Sequence, residues 1–128
     1  MAYAEFDTSD FPILLVRFTG EASTDQNFKE YLDQLDDIYL RKELFSIVFD
    51  ATNAALPSLR HQKMQAYWLR DNKELVESYC KGTAYVILKP ATRAILKLIF
   101  AIYPQPVPYK IVVTESDGRN WAKAQLGE

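Results

Sequence analysis

Cysteine, histidine and glycine are scarce in this chain. Its 128 residues include one cysteine, Cys80, one histidine, His61, and four glycines. A single cysteine forms no internal disulfide, so the simplest setting is a reducing one, and a cytoplasmic protein is expected. One histidine and one cysteine without ligand spacing are too few for zinc, which takes three protein ligands even at catalytic centres. No metal is therefore expected. Gly20, Gly82, Gly118 and Gly127 are scattered, so there is no phosphate-cradling loop or dinucleotide fingerprint, and no cofactor is expected. Charge of one sign is also lacking. The net value of −2 steers nothing towards nucleic acid. The longest apolar run lies within residues 94–103, is interrupted by Lys97 and is too short to span a bilayer. The opening MAYAEFDTSDF carries early acids and no apolar run with a cleavage site, so no signal peptide is expected.

What is present is apolar material, 48% of the residues, enough for one core. No repeat, low-complexity tract or linker divides the chain, so a single domain over residues 1–128 is expected. YAEFD (3–7) and ILLVRFT (13–19) have strand composition, and the turn-forming link TSDFP (8–12) makes them an antiparallel pair. Ser23 and Gln26 have the spacing of a capping box. Phe28, Tyr31, Leu32, Leu35, Ile38 and Tyr39 follow at helical spacing, and Arg41-Lys42 closes that helix. FSIVFD (45–50) lacks alternation, which marks a strand covered on both faces. A second helix is read from Leu59 to Tyr79 with Gly82 as its stop, then a strand TAYVIL (83–88). Residues 91–103 form a third helix, ended by Pro104. YKIVVT (109–114) is the last strand, and Ser116 is positioned to cap a final helix. The order is ββαβαβαβα: an α/β fold with a mixed sheet of five strands and about four helices. Helical crossovers make the later strands parallel.

The carboxyl ends of such strands are the usual binding edge. The loop after FSIVFD carries Asp50, Thr52 and Asn53, and Arg60 and His61 stand on the next helix. Asp50 reads as a hydrogen-bonding group for its own loop, against the alternatives of a general base or a metal ligand. No second carboxylate lies near it in sequence. His61 reads as an exposed helical histidine. A Ser58–His61–Asp50 set lacks the nucleophile elbow, so no catalytic residue is assigned. Cys80 reads as buried and inert.

The third helix carries the most information. ATRAILKLIFAIY places Ile95, Leu98, Ile99 and Ile102 on one face, expected in the core, and Leu96, Phe100 and Tyr103 on a neighbouring face. A helix covering a sheet needs no arc that wide. Something must shield the excess: a second copy, another helix, or a lipid-like ligand. Leu96, Phe100 and Tyr103 are the candidate interface. Arg93, within a basic row of Lys89, Arg93 and Lys97, is the candidate contact for an anionic group.

Phe49-Asp50, Trp68 in the long helix, Gly82-x-Ala84-x-Val86, Arg93 after a proline, the P-x-P-x-P run and Trp121 together resemble the STAS domain. More narrowly, nearly the whole chain is similar to SpoIIAA-like (STAS/SEC14-type) bacterial proteins of unknown function. The resemblance implies a mixed sheet with helices mainly on one side. In antagonist STAS domains the loop after the third strand carries an Asp-Ser-Ser-Gly-type motif whose serine is phosphorylated. Here that loop reads DATNAALPS (50–58), and the motif is missing. Ser58 at the helix start is the remaining candidate for phosphorylation, against its simpler role as a cap. The expectation is a non-catalytic regulatory or binding domain, a homodimer, acting through protein contact or a small apolar or anionic ligand. The alternatives are a phospho-regulated partner switch like the anti-sigma-factor antagonists, and an enzyme with a carboxylate site at Asp50.

Overall fold

The computed structural model describes every residue except Tyr103 and Glu128. Strands β1 (Ala4–Asp7) and β2 (Ile13–Phe18) lead into helix α1 (Asp25–Leu40) and strand β3 (Phe45–Asp50). Helices α2 (Leu59–Asp71) and α3 (Lys73–Tyr79) precede strand β4 (Cys80–Val86). Helix α4 (Pro90–Ile102), strand β5 (Tyr109–Val112) and helix α5 (Glu115–Gln125) complete the chain. The five strands lie in sequence order in one sheet. β1 and β2 run antiparallel and every later pair is parallel, as the crossovers demand.

Both faces of the sheet are covered. Ile13, Leu15, Val48, Ala84, Val86 and Val112 pack under α5 around Ala122. Leu14, Val16, Phe45, Ile47 and Phe49 point the other way, into the larger core under α1 to α3. This explains the missing alternation in FSIVFD: successive side chains enter two different cores. In α1, Phe28, Tyr31, Leu32, Leu35, Ile38 and Tyr39 are all buried, as their spacing predicts.

Several local readings are corrected. Thr24, not Ser23, caps α1: its hydroxyl accepts from Asn27 N–H at 3.0 Å, and Asn27 Oδ1 accepts from Thr24 N–H at 2.8 Å. The long second helix is two helices, so there are five in all. Asn72 breaks it because its side-chain amide donates to the Trp68 carbonyl at 2.9 Å, the acceptor its own backbone N–H also uses. Gly82 is no helix stop but a strand residue. A Cβ there would stand 2.9 Å from Trp121 and Gln125 side-chain atoms, so its bareness lets α5 approach β4. Thr114, not Ser116, caps α5 by accepting from Asp117 N–H at 3.0 Å.

The largest departure is α4. None of its residues is buried. Leu98 and Ile102, expected in the core, are each 64% exposed, and Ile95 is 41% exposed. The helix is turned so that Leu96, Ile99 and Phe100 face inward; Phe100 packs on the sheet edge, and beneath Leu96 and Ile99 lies space rather than packed side chains.

Candidate functional site

Beneath α4 is a cavity of about 300 Å³. Its floor is the inner face of the sheet. Phe18, Phe49 and Tyr85, from three neighbouring strands, form a series of near-parallel rings with centroids 5.9 and 5.3 Å apart. α1 contributes Tyr31, Leu35 and Tyr39, and α2 contributes Trp68 and Leu69. Leu96, Ile99 and Phe100 form the roof. Phe100 pins the roof to the sheet edge, with its centroid 4.8 Å from Tyr109 and 5.3 Å from Tyr85. Ala54, Leu56 and Ile95 both line the cavity and reach solvent, so the mouth lies between the β3–α2 loop and α4.

No charged side chain and no histidine is among the lining residues described. Several of its polar groups are committed. Tyr3 donates to the Ala55 carbonyl at 3.1 Å, and Tyr85 donates to Gln105 Oε1 at 3.0 Å. Trp68 Nε1 donates outward to Asp36 at 2.7 Å. Burial pushes the Tyr3 hydroxyl up to about 12 and raises Tyr31, Tyr39 and Tyr85 as well, so these hydroxyls stay neutral. Burial likewise pushes the Cys80 thiol up to about 11, which makes it inert. The Thr83 hydroxyl, also in the lining, is buried without a hydrogen-bond partner. An empty volume of this size forfeits the contacts that hold an interior together. It falls at the lower end of the range for small-molecule pockets, roughly 300–1,000 Å³.

The residues singled out in the sequence occupy three separate places. At the first, Asp50 ends β3 and accepts from Thr52 N–H at 2.9 Å and from its hydroxyl at 2.6 Å, closing its own loop. Asn53 is exposed in that loop, and its carbonyl would stand 3.0 Å from a Cβ on Gly20, whose φ is +90°. A second carboxylate, distant in sequence, does stand beside Asp50: Glu115, which pairs with Arg17 through contacts of 2.9 and 3.0 Å. Burial raises the Asp50 carboxyl, but a proton shared with the Glu115 carboxyl, the two hydrogen bonds from Thr52 and the Arg17 charge outweigh it, so the group sits below the usual carboxylate range.

The second place joins the starts of α1 and α2. His61 is not an exposed helical histidine, as its position suggested, but 5% exposed. Its Nε2 lies 2.9 Å from Asp25 Oδ1, and its Nδ1 lies 2.6 Å from Ser23 Oγ and 2.9 Å from Ser58 Oγ. That network places a proton on Nε2, donating to the carboxylate, and leaves the single lone pair of Nδ1 to accept from the nearer hydroxyl, that of Ser23. The Ser23 oxygen also accepts from Ser58 N–H at 3.2 Å. Arg60 donates to Asp25 at 3.0 Å. Ser58 caps α2 by accepting from His61 N–H at 3.3 Å. The ring stacks on Phe28, 5.2 Å away, and Phe28 separates it from the cavity it lines. The row of serine, histidine and aspartate therefore stands outside the cavity and fastens two helix starts together.

The third place holds Arg93. Its Nε donates to the Ile87 carbonyl at 2.9 Å, and it borders a shallow cleft with Lys110, Asp117, Asn120 and Trp121 near α5. Of the interface candidates, Leu96 and Phe100 face the cavity, and Tyr103 lies outside the described residues. The sequence reading passed over the cavity itself. Its one available signal was the cluster of aromatic residues that the strands and α1 send to the same side of the sheet.

No family model matches the chain, and no curated protein matches it. Several solved structures resemble it, among them one that matches over 93% of this chain and 91% of its own, with a TM-score of 0.65 and 13% identity. That structure is an uncharacterized protein from the DUF3478 family with a SpoIIAA-like fold, from Shewanella loihica PV-4. This chain has the SpoIIAA-like fold. The STAS architecture expected from the residues is thus borne out, with five helices in place of about four. Among the described residues, no helix is long and apolar enough to cross a membrane.

Proposed function

We propose that this SpoIIAA-like domain is a non-catalytic binding protein that holds a small apolar ligand between α4 and the sheet. The observation that carries the reading is the uncharged, aromatic-lined cavity under a helix with no buried residue. A helix as apolar as α4 is stable against water only if something fills the space it roofs. The ligand supplies that filling and links its own presence to the position of α4, so that occupancy is read out through that helix. The carboxylates near Asp50 and the His61 row are satisfied by their own neighbours and lie apart from the cavity, which favours binding over chemistry. The buried, unreactive Cys80 is in keeping with the reducing cytoplasm we assign it to.

Native mass spectrometry of freshly purified protein tests the reading. The expected result is a species heavier than the 14.8 kDa chain, returning to chain mass after organic extraction. Leu96→Glu, which places a charge in the roof, is expected to abolish the added mass while leaving the circular dichroism spectrum unchanged. A bare chain that also fails to bind the neutral dye phenylnaphthylamine would remove the proposal.

A further inference from the structure

We infer that the ligand of this cavity is a neutral molecule, with an apolar ring-sized body and one uncharged hydrogen-bonding group seated against Thr83. The inference rests on the binding proposal above and narrows it to a chemical class. Two observations carry it. First, no charged side chain is among the lining residues described, and the nearby arginines are engaged elsewhere: Arg93 with the Ile87 carbonyl, Arg60 with Asp25. A carboxylate or phosphate brought inside would lose its hydration with no cation in return.

Second, Thr83 sits mid-floor on β4, paired in register with Ile47 and Tyr109, and is 5% exposed. Its backbone N–H donates to the Pro108 carbonyl at 3.0 Å, but its side-chain oxygen has no partner. The Tyr85 hydroxyl is the neighbouring polar group: it donates to Gln105 at 3.0 Å, and the Thr83 hydroxyl approaches its oxygen without completing a hydrogen bond of good geometry. A buried hydroxyl without a partner is costly, and a ligand hydroxyl, carbonyl or amide would satisfy it. Ser46, the other buried oxygen without a partner among the described residues, does not line the cavity, so the argument belongs to Thr83 alone. The raised tyrosine hydroxyls fit the same picture, since they can donate hydrogen bonds but supply no charge.

The test uses three molecules with one ring system, naphthylethanol, naphthylacetate and ethylnaphthalene, displacing phenylnaphthylamine from the intact chain. At about pH 8 the acetate is fully ionised. The alcohol is expected to displace the dye at a concentration at least about tenfold lower than the acetate, because ionised groups resist burial. Thr83→Val, close in shape, is expected to weaken the alcohol about fivefold, the size of one ordinary hydrogen bond, while leaving ethylnaphthalene unchanged or tighter. Acetate binding as tight as the alcohol would overturn the neutral class. So would an alcohol-to-hydrocarbon ratio unmoved by Thr83→Val. Both of those results leave the cavity as a binding site. Failure of wild-type protein to bind the dye at all would instead remove the underlying proposal.

Discussion

The imidazole of His61 and the carboxylate of Asp25 meet at 2.9 Å, joining the start of α2 to the start of α1. The two residues are 36 positions apart, and both of the helices they start wall the cavity. Ser23 and Ser58 complete the clamp on the other ring nitrogen.

His61→Ala removes a buried ring, its stacking on Phe28 and the ring nitrogen that accepts from the Ser23 hydroxyl. The expected loss is about 2–3 kcal/mol of unfolding free energy, from lost packing and stranded polar groups. Urea unfolding monitored by circular dichroism measures it. A change within the scatter of repeat measurements would show that the clamp contributes nothing.

Acid should open the same contact from the other side. The hydrogen bond from His61, aided by the Arg60 charge, holds the Asp25 carboxyl below the usual carboxylate value. A carboxyl depressed in the folded state contributes stability that is present above its unfolded value, about 3.9, and lost as pH falls through the folded value. Wild-type protein should therefore exceed Asp25→Asn in stability at neutral pH, and the difference should vanish in strong acid. A difference that stays constant down the acid limb would contradict this. Thermal melts at stepped pH give the comparison.

These long-range pairings mark the limit of what the residues disclosed beforehand. The α1 stripe and the unalternating FSIVFD run were readable because each expresses a local period set by backbone geometry. The excess apolar surface of the segment after Pro90 was readable as a quantity. Its direction was not, because rotation about the helix axis depends on what lies beneath, and beneath Leu96 and Ile99 there is a void. Empty space has no sequence pattern. His61 was misjudged for a related reason: its partners Ser23 and Asp25 come from another helix start, and nothing local announces them.

Gly118 tests how closely α5 seats on the sheet. A Cβ there would stand 3.0 Å from Cγ1 of the fully buried Val48. Alanine would raise helix propensity by about 1 kcal/mol, but overpacking typically costs about 1–3 kcal/mol. Gly118→Ala should therefore lower stability by about 1 kcal/mol despite being the better helix former. A more stable variant would mean the helix slides freely on β3 and β4.

The outward face of α4 bears on the expected homodimer. Leu98 and Ile102 project from the roof at 64% exposure each, and Leu88 is exposed near its start. A second copy laid across this face would cover them with a self-complementary patch. Light scattering should then give twice the 14.8 kDa chain mass for wild type and the single mass for the Leu98→Lys, Ile102→Lys double variant. A wild-type monomer at the highest soluble concentration would dismiss the dimer while leaving the cavity untouched.

The two tryptophans offer a way to locate a bound molecule, because they stand on opposite faces of the sheet. Trp68 lines the cavity, with its indole N–H held at 2.7 Å by Asp36, whereas Trp121 stands on α5 and packs against the other core. A ligand under α4 displaces solvent from around Trp68 and reaches nothing near Trp121. Adding naphthylethanol to Trp121→Phe should therefore alter the remaining tryptophan emission, and adding it to Trp68→Phe should not. The reverse pattern would move the site to the shallow cleft bordered by Arg93 and Trp121, and the roof formed by α4 would lose its meaning. Because the Asp36 bond fixes the indole in place, a shift in Trp68 emission reports contact at the cavity wall rather than a wandering side chain.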